Sequence, residues 1–139
     1  MDFVEGGCLC GSVRYRASGA ALATSICHCN SCRRACGAPS VAWVVFRSAD
    51  FAFITGQPMA FRSSPPVVRT FCGKCGTPLT FQHDETPTTI DVTTASLDFP
   101  ERFAPAKEIW LEHKVAWEPV NEALPQFPRS SMEPRRSAT

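Results

Sequence analysis

Residues 8–15 read CLCGSVRY and place two thiols one residue apart, at the start of an alternating segment. A disulfide between Cys8 and Cys10 would be strained, because residues this close in sequence miss the Cα spacing and Cβ directions that the bond needs. Residues 72–81, CGKCGTPLTF, have the same pattern of two thiols, a glycine and an alternating segment. A glycine there permits a tight turn that aims backbone amides at sulfur. Two such turns predict one structural zinc site with four thiolates, from Cys8, Cys10, Cys72 and Cys75.

The segment 27–36, CHCNSCRRAC, differs from these two turns. Three of its thiols, Cys27, Cys29 and Cys32, lie close together, and no fourth ligand is evident elsewhere in the chain. Three protein ligands and one open position are typical of a catalytic zinc, whereas structural sites carry four ligands. The segment therefore predicts a second, catalytic zinc.

Two neighbours bear on this ligand count. His28 lies between Cys27 and Cys29, where alternation in an extended chain turns its side chain away from theirs. Cys36 follows Cys32 by four residues, so one helical turn would put both on one face, and a closed site with four thiolates stays an alternative. We favour the open site and expect Cys36 to pack as a small apolar residue.

The ligand set of the second site limits its chemistry. Three thiolates give the zinc site a net charge of about −1, so a bound water is acidified less than on a zinc held by neutral histidines, and hydrolysis is disfavoured. A fourth thiol suits soft zinc–sulfur chemistry and is deprotonated when it coordinates. The resulting thiolate can attack an aldehyde carbonyl. Arg33, and Arg34 beside it, are placed to hold a substrate carboxylate or to offset the charge.

The hydrophobic pattern predicts a mainly β fold. Short alternating or apolar runs with turn residues between them predict strands at 12–17, 41–46, 50–55, 67–71, 78–82, 88–93 and 109–115. Only 30–37 and 97–102 have room for short helical turns, and 12 prolines argue against long helices. We divide the chain into one domain, residues 1–118, and a tail rich in proline and serine, residues 119–139.

Composition narrows the class of protein. The 139 residues suffice for one domain with a core, and the net charge of +1 gives no field that would recruit nucleic acid or a membrane surface. No apolar run approaches the length of a membrane span, and MDFVEGG lacks the pattern of a secretory signal. We therefore expect a cytoplasmic protein whose eight cysteines are reduced and serve as metal ligands or catalytic groups.

The order of these motifs resembles a known family. GGCLCGSVRY, CHCNSCRRACGAP, RTFCGKCGTPLTF and SLDFP occur in that order, and the resemblance extends over residues 6–117. The chain is thereby similar to the glutathione-dependent formaldehyde-activating enzymes (GFA), a family that includes centromere protein V. The resemblance implies a β-tent fold of small antiparallel sheets around zinc. It also implies a structural zinc and a catalytic zinc at the cysteines predicted above.

The activity that the resemblance implies is the joining of glutathione to formaldehyde as S-(hydroxymethyl)glutathione, a carbon–sulfur lyase reaction run in reverse. Its partners would be a small-molecule thiol and an aldehyde. The main alternative from the residues is a zinc-binding module without catalysis that docks another protein. An open metal site that takes up glutathione favours the enzyme, whereas a closed site with four cysteines favours the module.

Overall fold

A computed structural model of the chain describes residues 2–131, and in that range ten β-strands form two sheets. The smaller sheet has the order β1–β2–β5, and the larger has the order β10–β3–β4–β9–β8–β7–β6. Neighbouring strands are antiparallel, except that β10 runs parallel to β3. The strands are β1 Phe3–Gly7, β2 Arg14–Ser18, β3 Ala23–Cys27, β4 Val41–Arg47, β5 Phe51–Thr55, β6 Met59–Ser64, β7 Val67–Phe71, β8 Pro78–His83, β9 Thr89–Thr93 and β10 Glu108–Ile109.

The main core lies between the two sheets. Tyr15 and Ala17 of β2 are fully buried there, against Val44 and Phe46 of β4 and Val92 of β9. Burying each of the larger side chains contributes on the order of 2 kcal/mol. This core holds the two sheets together. The mainly β architecture agrees with the prediction from the sequence.

The strand β4 has both faces covered, which explains its nearly continuous apolar sequence, VAWVVFR. Its even-numbered residues, Val44 and Phe46, face the main core. Its odd-numbered residues, Val41 and Trp43, belong to a second cluster that also contains Cys27 and Cys32. The central strand thus carries the main core on one face and a cysteine cluster on the other.

The α-helix of the described residues, α1, runs from Asn30 to Cys36 within the predicted range 30–37. Gly37 ends it in the left-handed conformation, with φ of 63°, and donates its amide to the Arg33 carbonyl over 2.8 Å. In the other predicted helical range, 97–102, a 3₁₀ turn begins at Pro100 and ends at Phe103. No helix within residues 2–131 has the length and apolarity that a membrane span needs.

The predicted strand 109–115 is wrong beyond Ile109. The chain leaves the extended conformation at Trp110, whose φ of 60° is the only positive value among the described residues other than glycine. A 3₁₀ turn, Leu111–His113, follows at once. The pairing of β10 with β3 is therefore limited to two residues: Glu108 lies opposite Ile26 and Ile109 lies opposite Cys27, in parallel register.

The segment after residue 118 lies along β10 and is held there by backbone hydrogen bonds. The Glu108 amide donates to the Pro125 carbonyl over 3.0 Å, and the Phe127 amide donates to the Glu108 carbonyl over the same distance. The Leu111 amide donates to the Phe127 carbonyl. Residues 119–131 of the predicted tail therefore contact the domain, whereas its residues 132–139 lie outside the described range.

Candidate metal centres

All eight cysteines lie in the described part of the chain as free thiols, and seven of them form two groups that can hold a metal ion. Within each group, the sulfur atoms all lie within 4.8 Å of one another. The structure thus brings together the residues that the sequence predicts as two ligand sets. One set is Cys8, Cys10, Cys72 and Cys75, and the other is Cys27, Cys29 and Cys32.

Two similar turns build the four-cysteine cluster. In the first, the Gly11 amide donates to the Cys8 carbonyl over 3.1 Å, and in the second, the Gly76 amide donates to the Cys72 carbonyl over 2.8 Å. Both glycines have φ of 82°, which residues with a side chain rarely adopt. The expectation that a glycine lets each turn close tightly is confirmed.

These turns bring the sulfurs of the four-cysteine cluster together and aim amides at them. The Cys10 sulfur lies 3.7 Å from that of Cys8 and 3.8 Å from that of Cys72. The Val13 amide donates to the Cys8 sulfur, and the Lys74 amide donates to the Cys72 sulfur, each over 3.3 Å. Such donors favour the thiolate, which is the form of cysteine that binds metals.

Nearby hydroxyl groups favour the thiolates further. The Thr77 hydroxyl lies 3.2 Å from the Cys75 sulfur, and this hydrogen bond is the main cause that lowers the pKa of Cys75 to about 5. The Ser12 hydroxyl lies 3.4 Å from the Cys72 sulfur and is the main cause that lowers the pKa of Cys72 to about 7. These hydrogen bonds therefore make Cys72 and Cys75 more acidic than an ordinary thiol.

The three-cysteine cluster lies where β3 ends and α1 begins. Cys27 is the last residue of β3, Cys29 is the N-cap of α1, and Cys32 lies in the first helical turn. The Cys32 amide donates to the Cys29 sulfur over 3.2 Å, so a sulfur fills the capping place that an oxygen usually takes. Cys27 and Cys32 are buried, and Cys29 is half-buried. The cluster is therefore most accessible at Cys29.

Hydrogen bonds between the thiols concentrate negative charge on one sulfur. Hydrogen bonds from Cys27 and Cys32 lower the pKa of Cys29 to about 2, and the Cys32 amide and the Arg69 charge act in the same direction. The hydrogen bond to Cys29 is the main cause that raises the pKa of Cys27. A half-buried thiolate that shares the protons of two buried neighbours is an environment that favours a bound cation.

Three residues near the second cluster have other contacts. Cys36 is half-buried and packs against the cluster, but its sulfur is not part of the metal-binding groups among residues 2–131. His28 is 1% exposed, and its Nε2 lies 2.6 Å from Glu108 Oε1. Arg33 donates from Nη2 to Asn30 Oδ1 over 3.4 Å, and its buried Nε has no partner within the described residues.

Sequence reasoning missed Arg69, the cation that contacts a sulfur of this cluster. It lies on β7, is 8% exposed, and both of its Nη atoms lie 3.8 Å from the Cys32 sulfur. Its guanidinium also stacks over the Phe81 ring at 5.0 Å. Burial raises the pKa of Asp91 to about 7, and the charge of Arg69 opposes that rise. An arginine inside the apolar run VVRTF is the signal that could have indicated a buried charge.

Comparison with known proteins agrees with the resemblance noted from the motifs. The chain is 32% identical over 83 residues to a protein of Schizosaccharomyces pombe described as an uncharacterized lyase, and the match spans 60% of each chain. A crystal structure of a Rhodobacter sphaeroides protein superposes with a TM-score of 0.58 at 24% identity, covering 68% of this chain and 87% of that one, which bears on the fold alone. A family model described as glutathione-dependent formaldehyde-activating enzyme matches residues 3–113. Since that match spans most of the sequence, the chain belongs to the GFA family.

Proposed function

We propose that the protein is a zinc-dependent carbon–sulfur lyase of the GFA type, which adds glutathione to formaldehyde and reverses that addition. The observation that carries the proposal is the difference between the two clusters. One gathers four sulfurs from two distant turns, whereas the other gathers three sulfurs beside a helix N-cap. Four ligands suit a structural metal, and three suit a metal that still binds a substrate.

Zinc fits both sets of donors. In a tetrahedral zinc site with four thiolates, neighbouring sulfurs lie about 3.8 Å apart, as follows from a Zn–S distance of about 2.3 Å. The distances from Cys10 to Cys8 and to Cys72, 3.7 and 3.8 Å, agree with that geometry. Donor sets made only of sulfur favour zinc over hard cations such as magnesium or calcium.

The four-cysteine site is assigned a structural role. Cys8 and Cys10 precede β2 of the smaller sheet, whereas Cys72 and Cys75 lie between β7 and β8 of the larger one. A metal there would join the two sheets at one end of the main core, which already contains Cys8 and Cys72. Its binding free energy would therefore contribute directly to folding.

The three-cysteine site is assigned the reaction, with Cys27, Cys29 and Cys32 as its ligands. Zinc held there would supply Lewis acidity that keeps an incoming thiol in its thiolate form. In the addition, a carbon–sulfur bond forms, the carbonyl π bond breaks, and the proton of the thiol passes to the carbonyl oxygen; the lyase direction reverses each change. The half-buried Cys29 side is the side from which substrates approach, since Cys27 and Cys32 are buried.

Arg33 is assigned to the carboxylate of the thiol substrate. It follows Cys32 directly on α1, beside the three-cysteine cluster, and its guanidinium makes only a long hydrogen bond, from Nη2 to Asn30 Oδ1 over 3.4 Å, among the described residues. A guanidinium suits a carboxylate because it can donate two parallel hydrogen bonds. The proposed substrates are a small-molecule thiol and an aldehyde, and the proposed compartment is the cytoplasm. The reaction requires neither nucleic acid nor a membrane.

The test is the rate at which ¹³C-formaldehyde exchanges with its glutathione adduct, measured by NMR magnetization transfer. The addition proceeds without help in water, so catalysis is an exchange rate above that of the protein-free mixture. We expect zinc-loaded protein and its Cys36→Ala variant to accelerate exchange, and Cys29→Ala to leave the uncatalysed rate. No acceleration by a protein loaded with two zinc ions would favour the binding module instead.

A further inference from the structure

Arg69 is a buried cation in direct contact with the three-cysteine cluster. Its side chain comes from β7, in the middle of the chain, and lies against Cys32 on α1, with both Nη atoms 3.8 Å from the sulfur. Its Nε donates to Ser63 Oγ over 3.1 Å, which fixes the guanidinium plane. With 8% of its surface exposed, Arg69 depends on protein groups to balance its charge.

Few groups are available to balance that charge. Phe81, on the neighbouring strand β8, offers the face of its ring at 5.0 Å, and Asp91 on β9, one strand further along the sheet, attracts the guanidinium electrostatically. Within residues 2–131, the hydrogen-bond acceptors of Arg69 are the neutral Ser63 hydroxyl and the Cys32 sulfur, and of these two only the sulfur can carry negative charge. Hydrogen bonds from a guanidinium to a thiolate draw electron density from the sulfur and lower the negative charge of the ligand set.

We propose that Arg69 is a positioning residue that makes the three-cysteine metal site prefer an anionic fourth ligand to a neutral one. The inference rests on the metal ion assigned to Cys27, Cys29 and Cys32 under the proposed function. Three thiolates and a divalent metal have a net charge of about −1, so binding an anionic ligand would make the net charge of the site about −2. Arg69 offsets one unit of that charge from a buried position, where solvent screens little.

The charge and the contacts of Arg69 make separable contributions. Arg69→Gln removes the positive charge, whereas Arg69→Lys keeps it on a side chain that cannot donate from two Nη atoms at once. Arg62 is the matched control because it lies on the adjacent strand β6, is exposed, and forms an ion pair with Asp84 at 2.7 Å. Arg62→Gln removes the same charge without touching the cluster.

The experiment uses the full chain with cobalt in place of zinc and follows the visible cobalt bands at pH 8. Azide serves as the anionic ligand, and imidazole serves as the neutral one. We expect Arg69→Gln to weaken azide binding at least tenfold and to change imidazole binding less than threefold, while Arg69→Lys and Arg62→Gln bind azide within threefold of wild type. Equal azide affinities in wild type and Arg69→Gln would overturn the inference, and so would equal losses for azide and imidazole.

The sulfur-to-cobalt charge-transfer band gives a second readout. Loss of the hydrogen bonds from Arg69 leaves a more electron-rich sulfur, so the band of Arg69→Gln is expected at longer wavelength than in wild type. An unchanged band would contradict the proposed contact. If Arg69→Gln does not fold, Asp91→Asn tests the same inference, because removing a negative charge beside Arg69 should tighten azide binding. Unchanged or weaker azide binding in Asp91→Asn would then overturn it.

These outcomes are separable from those of the proposed function. If wild type binds azide more tightly than Arg69→Gln does, but does not bind glutathione, the substrate assignment fails and the role of Arg69 stands. If glutathione and azide bind equally well to wild type and Arg69→Gln, the role of Arg69 fails and the proposed function is unaffected.

Discussion

His28 and Glu108 lie 80 residues apart in sequence, and their side chains meet in the interior, with His28 Nε2 2.6 Å from Glu108 Oε1. Both side chains are at most 2% exposed. His28 separates two members of the three-cysteine cluster, whereas Glu108 accepts a hydrogen bond at Oε2 from the Asn121 amide over 2.8 Å. One carboxylate therefore joins the cysteine segment to the segment that follows the predicted domain boundary.

The first prediction concerns this carboxylate. Glu108→Ala leaves the buried His28 imidazole and the Asn121 amide without their partner, so we expect it to lower the free energy of unfolding by about 2–4 kcal/mol in urea titrations. It should also speed proteolysis within residues 119–131, because the Asn121 contact is lost. Glu108→Gln keeps an acceptor oxygen and should lose less.

The matched control for Glu108 is Glu112, whose carboxylate accepts from Arg129 Nε over 2.7 Å on the surface. Glu112→Ala should change the free energy of unfolding by less than about 1 kcal/mol, because exposed ion pairs contribute little. Similar losses of unfolding free energy in Glu108→Ala and Glu112→Ala would show that the buried His28–Glu108 contact stabilises the protein no more than an exposed ion pair does.

The second prediction separates the two metal sites by stability. We expect Cys72→Ser to lower the Tm by at least about 10 °C more than Cys32→Ser, since a structural metal contributes its binding free energy to folding. Cys72 is 1% exposed and belongs to the core between the sheets, whereas Cys32 belongs to the smaller cluster. Differential scanning calorimetry of zinc-loaded variants measures this. Equal losses of Tm would refute the division into structural and catalytic sites.

The third prediction concerns pH. Burial raises the pKa of Asp91 from 3.8 to about 7, so between these values the folded protein binds a proton that the unfolded chain has released. The contribution of Asp91 to stability is therefore greatest at low pH and falls as the pH rises towards about 7. Asp91→Asn does not titrate, and its stability relative to wild type should increase between pH 5 and pH 7.5 when both carry the same zinc content. A constant difference would contradict the raised pKa.

Much of the fold follows from hydrophobic pattern. The strands at Val41–Arg47, Val67–Phe71 and Thr89–Thr93 are predicted almost to the residue, because each has a clear apolar pattern and turn residues at its ends. Three strands are not predicted from the sequence: β1, β3 and β6. The strand β6 is an edge strand whose side chains are mostly exposed, so it has no buried face to reveal it. The strand β10 is shorter than predicted because Trp110 turns the chain, which no periodicity signals.

The candidate site follows from sequence only as far as its cysteines. Their spacing predicts both groups of sulfurs, because a metal's ligand geometry constrains residues that are near in sequence. Arg69 and Glu108 are not predicted as contacts, since each reaches its partner through sheet topology rather than through local spacing. Arg33 and Cys36, which lie beside the cluster in sequence, keep the roles proposed for them as predictions.

The measurement that tests the central claim most directly is zinc X-ray absorption of the fully loaded protein, with and without glutathione. A site with four thiolates and a site with three give a mean of about 3.5 sulfurs per zinc, and a thiol in the open position raises the mean to about 4. We expect that rise in wild type and in Cys36→Ala. Four sulfurs per zinc before glutathione is added, or no rise after it, would contradict an open three-cysteine site that binds a thiol.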